Sequence, residues 1–182
     1  MIPGLVQSAL LLATRRWVGR RATLRFGAAD ATMTVTAVDC TLGAVGMALG
    51  QFDDVRVVVE DVRWTDRTAR RVSVTCRDVH VNPGPTLVAG PVEVEVALGQ
   101  EDLPPALRYA RFALVAEVDD GDLLLRAKFL PVRHRVVLPE LPRGLVLTGV
   151  TTTQDEVVLT ARADRWREKV SVGQLVELLR SA

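Results

Sequence analysis

Between residues 52 and 81 the chain reads FDDVRVVVEDVRW, then TDRTA, then RRVSVTCRDVHV. Val55, Val57 and Val59 alternate with period two, the pattern of a strand with one apolar face. The phase slips at Glu60-Asp61, and apolar positions resume at Val62 and Trp64. The second half repeats this: Val72, Val74 and Cys76, a slip at Arg77-Asp78, then Val79 and Val81. A slip of this kind is the mark of a β-bulge, which bends and twists a sheet. Two neighbouring strands that slip at the same level predict a strongly curved antiparallel sheet with an apolar concave face.

The same patterning predicts elements along the rest of the chain. Residues Pro3 to Val18 read as a helix with Leu5, Val6, Ala9, Leu10, Ala13 and Trp17 on one face. Arg16 and Arg20 flank that face. It serves either to pack the helix on the sheet or to touch lipid while the arginines meet phosphates. Strands follow at Thr23–Phe26, Thr32–Val38, Asp54–Trp64 and Arg71–Val81. After the break at NPGP, Leu87–Leu98 is one strand, with Val92, Val94 and Val96 on one side and Glu93 and Glu95 on the other. The two glutamates face solvent, where arginines such as Arg71 or Arg77 can pair with them. Asp102–Ala110 reads as a short helix capped by Asp102. Phe112–Val118 and Leu123–Phe129 form a hairpin around DDGD. Strands at Val132–Leu138, Leu145–Thr152 and Glu156–Ala163 precede a C-terminal helix, where Ser171 and Gln174 make a capping box.

The expected fold class is therefore α+β in one domain, 1–182. An N-terminal amphipathic helix over 1–20 precedes a strongly curved antiparallel β-sheet over 21–163, wrapped around or against that helix. A short middle helix near 102–110 and a C-terminal helix over 171–181 complete it.

Composition narrows the function classes. Of 182 residues, 48% are hydrophobic and only 4% aromatic, and valine carries much of that weight, which favours strands. The net charge of +1 gives no reason to expect nucleic acid as a partner, although Arg15, Arg16, Arg20 and Arg21 cluster near the start. Cys40 and Cys76 read as small buried residues, with a single disulfide as the alternative. The uncharged run Met1–Ala13 precedes its arginines, the reverse of a secretory signal, and is too short to span a bilayer. A cytoplasmic or membrane-peripheral location is expected on those grounds.

A search for chemistry finds no catalytic constellation. No serine lies in a G-x-S-x-G elbow, and Ser171 is better used as a cap. Ser73 points to the polar face of its strand, and His80, seven residues further along the same strand, is roughly 23 Å away, out of reach. Two histidines and two dispersed cysteines lack zinc spacing, and no glycine-rich phosphate loop follows a strand. Asp53-Asp54 and Asp119-Asp120 read as turn residues. No cofactor or metal is expected.

GQFDDVRVVVEDVRW followed by VSVTCRDVHV resembles the core of an actinobacterial envelope family, the phospholipid-binding proteins of lipomannan elongation and maintenance. Gly50, Phe52, Asp53, Val55, Val57 and Val59 carry the resemblance, and the segment Leu141 to Ala161 is similar to that family's closing hairpin. Together they cover about half the chain. The resemblance implies a tubular lipid-binding type of fold, in which a curved sheet wraps a long helix around an apolar groove. It also implies a cell-envelope location, whereas the export signal usual in such relatives is not seen. Between Phe129 and Gly144 the chain is more compact than those relatives. One member is described as a phospholipase, but no catalytic motif can be carried over.

The leading expectation is non-enzymatic binding, or carriage, of a phospholipid or other fatty acyl lipid, with peripheral contact to a membrane. Leu10, Trp17, Val57, Val59, Val72, Val74, Val94 and Val96 are the expected lipid contacts, and Arg16 and Arg20 the headgroup contacts. Two alternatives stand beside it: a protein-interaction module with a filled core, and a phospholipase or esterase.

Overall fold

The computed structural model describes residues 17–26, 29–41, 51–65, 67–82, 86–99, 114–127, 133–136, 141, 144–153 and 155–169. These form twelve strands: β1 (Arg21–Phe26), β2 (Ala29–Thr41), β3 (Gln51–Trp64), β4 (Arg67–Asn82), β5 (Thr86–Ala89), β6 (Val92–Gly99), β7 (Leu114–Asp119), β8 (Asp122–Ala127), β9 (Arg133–Val136), β10 (Val146–Thr152), β11 (Glu156–Ala163) and β12 (Trp166–Lys169). Every pairing is antiparallel. No helical element occurs among the described residues, so they constitute a β architecture and correct the α+β expectation. The valine-rich alternation is spent wholly on strands. The helices expected over 102–110 and 171–181, and the part of the first before Trp17, lie outside the described residues.

The main sheet runs β1-β2-β3-β4-β6-β11-β10, and β5 and β12 extend it as a pair joined to β4. A smaller sheet, β7-β8-β9, lies against β10. Its β7–β8 turn uses Asp120 (φ 50°) and Gly121 (φ 80°). Two successive positive φ values give the hairpin turn whose twist matches its strands, which explains why Asp-Gly stands there.

The expected strand Leu87–Leu98 is in fact two, β5 and β6, interrupted at Gly90-Pro91 but held on the same neighbour. Gly90 N–H donates to the Arg77 carbonyl at 2.9 Å, and Arg77 N–H donates to the Pro91 carbonyl at 3.0 Å. The interruption belongs to a line that crosses the sheet. Arg77-Asp78 lies beside it on β4, with Asp54 opposite Arg77 on β3. Asp164-Arg165 lies beside it on the other side, between Ala163, opposite Val92, and Trp166, opposite Ala89. On each strand two residues stand where the alternation has one, so the apolar face resumes three places on. Val79, Ala89 and Val92 are buried in one cluster with Cys76 and Trp166, from both sides of the line. Asp78 makes the step at φ 48°, a left-handed conformation that a short acidic side chain tolerates better than a β-branched one. Gly90 is required by close approach, because a Cβ there would overlap the Asp164 carbonyl oxygen.

The slip at Glu60-Asp61 is also real. Asp61 has φ 51°, and the β2–β3 register shifts between Thr32 and Thr34, leaving Asp61 and Val62 opposite Met33. The two slips do not share a level, contrary to the expectation. Asp61 falls between the Glu60–Arg71 and Val62–Ala69 pairs, and Asp78 between the Asp54–Arg77 and Phe52–Val79 pairs. Antiparallel pairing reverses one of the two sequence copies, so the slips lie toward opposite ends of the β3–β4 ladder.

Candidate functional site: the apolar face of the main sheet

Between those two slips the register assembles three apolar rows across five strands. The first is Cys40, Val55, Cys76, Val92 and Ala163; the second Val38, Val57, Val74, Val94 and Ala161; the third Val35, Val59, Val72, Val96 and Leu159. Apart from two thiols, no side chain in this grid carries a polar atom. Four inter-strand steps of roughly 4.8 Å make it about 19 Å wide.

Coverage of the grid is uneven. Val35 and Val59 are buried at one corner with Ala31 and Met33, and Trp17 packs against that cluster. Val92 and Ala163 are buried at the opposite corner, where Trp166 packs on the Val79, Ala89 and Val92 cluster. Between the corners Val38, Val57, Val72, Val74, Val94, Val96 and Leu159 are only half-buried. Lateral neighbours in a sheet hide the flanks of a valine. Val38, Val57 and Val72 also pack against the first cluster, and Val74 and Val94 against the second, yet each keeps part of its surface exposed. The result is a diagonal apolar band between two covered shoulders.

The expected lipid contacts divide accordingly. Val57, Val72, Val74, Val94 and Val96 come together in the band. Val59 belongs to the buried corner, and Trp17 covers that corner. Leu10 and Arg16 lie outside the described residues. Arg20 has an exposed side chain beside the same corner. Its backbone fixes it there: Arg20 N–H donates to the Trp17 carbonyl at 3.1 Å, and Val35 N–H donates to the Arg20 carbonyl at 3.0 Å. Gly19 permits this junction with φ 84°. Val38, Ala161 and Leu159 also join the face. The alternation in EVVLTA signals an apolar side on β11, but only the β6–β11 pairing shows which face it continues.

The other face of the sheet is mostly polar, with Val58, Ala97 and Val158 among its charged and hydroxyl side chains. Arg71 Nη2 meets Glu156 Oε1 at 3.2 Å across β6, and Arg77 approaches the directly opposed Asp54 at 4.0 Å. Glu93 and Glu95 stand opposite Thr75 and Ser73, so the arginine pairings expected for them fall to other carboxylates. Ser73 is buried on this face, and Arg56 Nε donates to its Oγ at 3.4 Å. The His80 ring nitrogen Nδ1 lies 3.1 Å from the Asp78 carbonyl oxygen. Serine and histidine thus engage different partners, as their separation along one strand requires.

The cysteines flank Val55 on strands two steps apart, about 10 Å between backbones. A disulfide spans less than 7 Å between Cα atoms, so they remain separate thiols. Burial holds the Cys76 thiol above its ordinary pKa, which favours its protonated form. Among the described residues no group of three or more His, Cys, Asp or Glu side chains could hold a metal ion. No helix among them is long and apolar enough to cross a membrane.

Comparison of the chain with protein-family models, with curated proteins and with solved structures finds no match in any of the three.

Proposed function

We propose that the protein binds a phospholipid or other fatty acyl lipid by laying one acyl chain along the diagonal band of the apolar sheet face. The observation that carries this reading is the contrast in coverage: both corners of the grid are buried, while the valines between them are only half-buried. The hydrocarbon of one membrane leaflet is about 15 Å thick, half the bilayer core. A diagonal across a grid about 19 Å wide is long enough to seat a chain of that length. A ligand on this face meets methyl groups and two thiols, so its apolar part is recognised by area alone, and a polar headgroup has to lie at the margin. Arg20, exposed beside the buried Val35 corner, is the described residue best placed to meet a phosphate there. The resemblance of Gly50 to Val59 to an envelope phospholipid-binding family points the same way.

The test is retention of lipid. Delipidated protein is incubated with phospholipid vesicles and passed through gel filtration, and phosphorus is assayed in the monomer fraction. Stoichiometric phosphorus supports the reading. Protein that emerges free of phosphorus, with its fold intact, overturns it and leaves a filled-core interaction module as the better account.

A further inference from the structure

The β3–β4 hairpin outruns its neighbour β6. β6 stays with β4 only as far as the Arg71–Ala97 pair, whereas β3 and β4 remain paired to Trp64–Arg67. On its other side β2 stays paired to this end, with Ala31 opposite Trp64, so the end is open only on the β6 side. This end carries Trp64, which is 47% exposed, one of three exposed large hydrophobic residues among those described. It closes the hairpin opposite Arg67, and Arg63 precedes it on the other face. Arg63, Arg67 and Arg70 are exposed as well. Beyond Arg71, which is held by Glu156, residues 61–70 contain three arginines against two aspartates. An indole joins a large apolar body to one N–H donor, which suits the boundary between headgroups and acyl chains. Basic side chains near an anionic lipid surface are attracted to it. Trp64 and Arg63 point to opposite faces of the strand, so both reach a surface only if this end of the sheet, with β1 and β2 alongside the hairpin, meets it end-on.

We infer that the Trp64 end of the β3–β4 hairpin docks on an anionic lipid surface, with the indole in the interfacial layer and Arg63 and Arg67 against lipid phosphates. The surface is distinct from the diagonal band and stands whether or not the band holds an acyl chain.

The test is co-sedimentation of the full chain with vesicles of phosphatidylglycerol and phosphatidylcholine, against vesicles of phosphatidylcholine alone. The expected result is binding to the anionic vesicles that falls as salt is added. Trp64→Ala and the double variant Arg63→Glu/Arg67→Glu should both weaken it while the protein remains folded, as checked by thermal melts. Loss of two basic charges from the surface weakens binding roughly thirtyfold, and their reversal weakens it more. Absence of binding by the unaltered protein, equal binding to both vesicle types, or binding that either variant leaves intact overturns the inference. Phosphorus retained after gel filtration, measured on Trp64→Ala, reports on the band separately and should match that of the unaltered protein.

Discussion

Replacing Val74 by tryptophan tests whether the centre of the apolar face is open. Val74 lies between Val57 and Val94 in the middle row and is half-buried. Under a covering layer, the added indole would overpack the site and cost about 1–3 kcal/mol. On an open face it lies over the neighbouring valines instead. Aromatic side chains suit strands, and the area gained offsets the ordering of the larger side chain, so the net change should stay within about 1 kcal/mol. The effect on ligand is larger. An indole across the band displaces three or four methylenes of an acyl chain, at roughly 0.8 kcal/mol each, a loss of about 3 kcal/mol or more than a hundredfold in affinity. Stability is measured by urea unfolding of delipidated protein, and binding by phosphorus retained after gel filtration. Loss of more than about 2 kcal/mol would show that the site is covered. Undiminished lipid retention would show that the chain does not lie there. Either result refutes the reasoning.

Three further outcomes test the architecture. Gly90→Ala drives a Cβ into the Asp164 carbonyl oxygen, backbone against backbone, and should cost about 1–3 kcal/mol or more in chemical unfolding. At Asp78, φ 48°, substitution by valine should destabilise by about 1–2 kcal/mol while substitution by glycine is tolerated, as compared by thermal melts. The Cys76 thiol has a folded pKa raised by burial, so the folded state holds its proton more tightly than the unfolded chain. Its contribution to stability is complete below the ordinary thiol pKa and is lost as pH rises through the raised folded value. Cys76→Ala should flatten that alkaline decline, as read from unfolding midpoints across a pH series.

The strands were legible where one strand makes one pattern. Glu156–Ala163 stands at the expected bounds, and the alternation of Val55, Val57 and Val59 faces that of Val72, Val74 and Cys76 as read. The slips at Asp61 and Asp78 were also legible, since an inserted residue leaves its mark in the chain itself. Their relative position was not. Two copies of a pattern look level on the page, but an antiparallel hairpin reverses one of them. β12 escaped because Trp-Arg-Glu-Lys has no alternation of its own, and only the line of interruptions it shares with β5 aligns it. The split of Leu87–Leu98 was hidden for a related reason: Gly90-Pro91 looks like a local break, yet both halves stay on β4. At the candidate site, period two identified five of the six valines of the band. Pattern alone could not separate them from Val59, because the cluster that buries Val59 is built by β2, a different part of the chain.

The most direct measurement is native mass spectrometry of the purified protein, followed by organic extraction and lipid identification. The account predicts a mass increment equal to one acyl lipid, removable by extraction and restored by incubation with vesicles. A mass equal to that of the bare chain, unchanged after the same incubation, would contradict it.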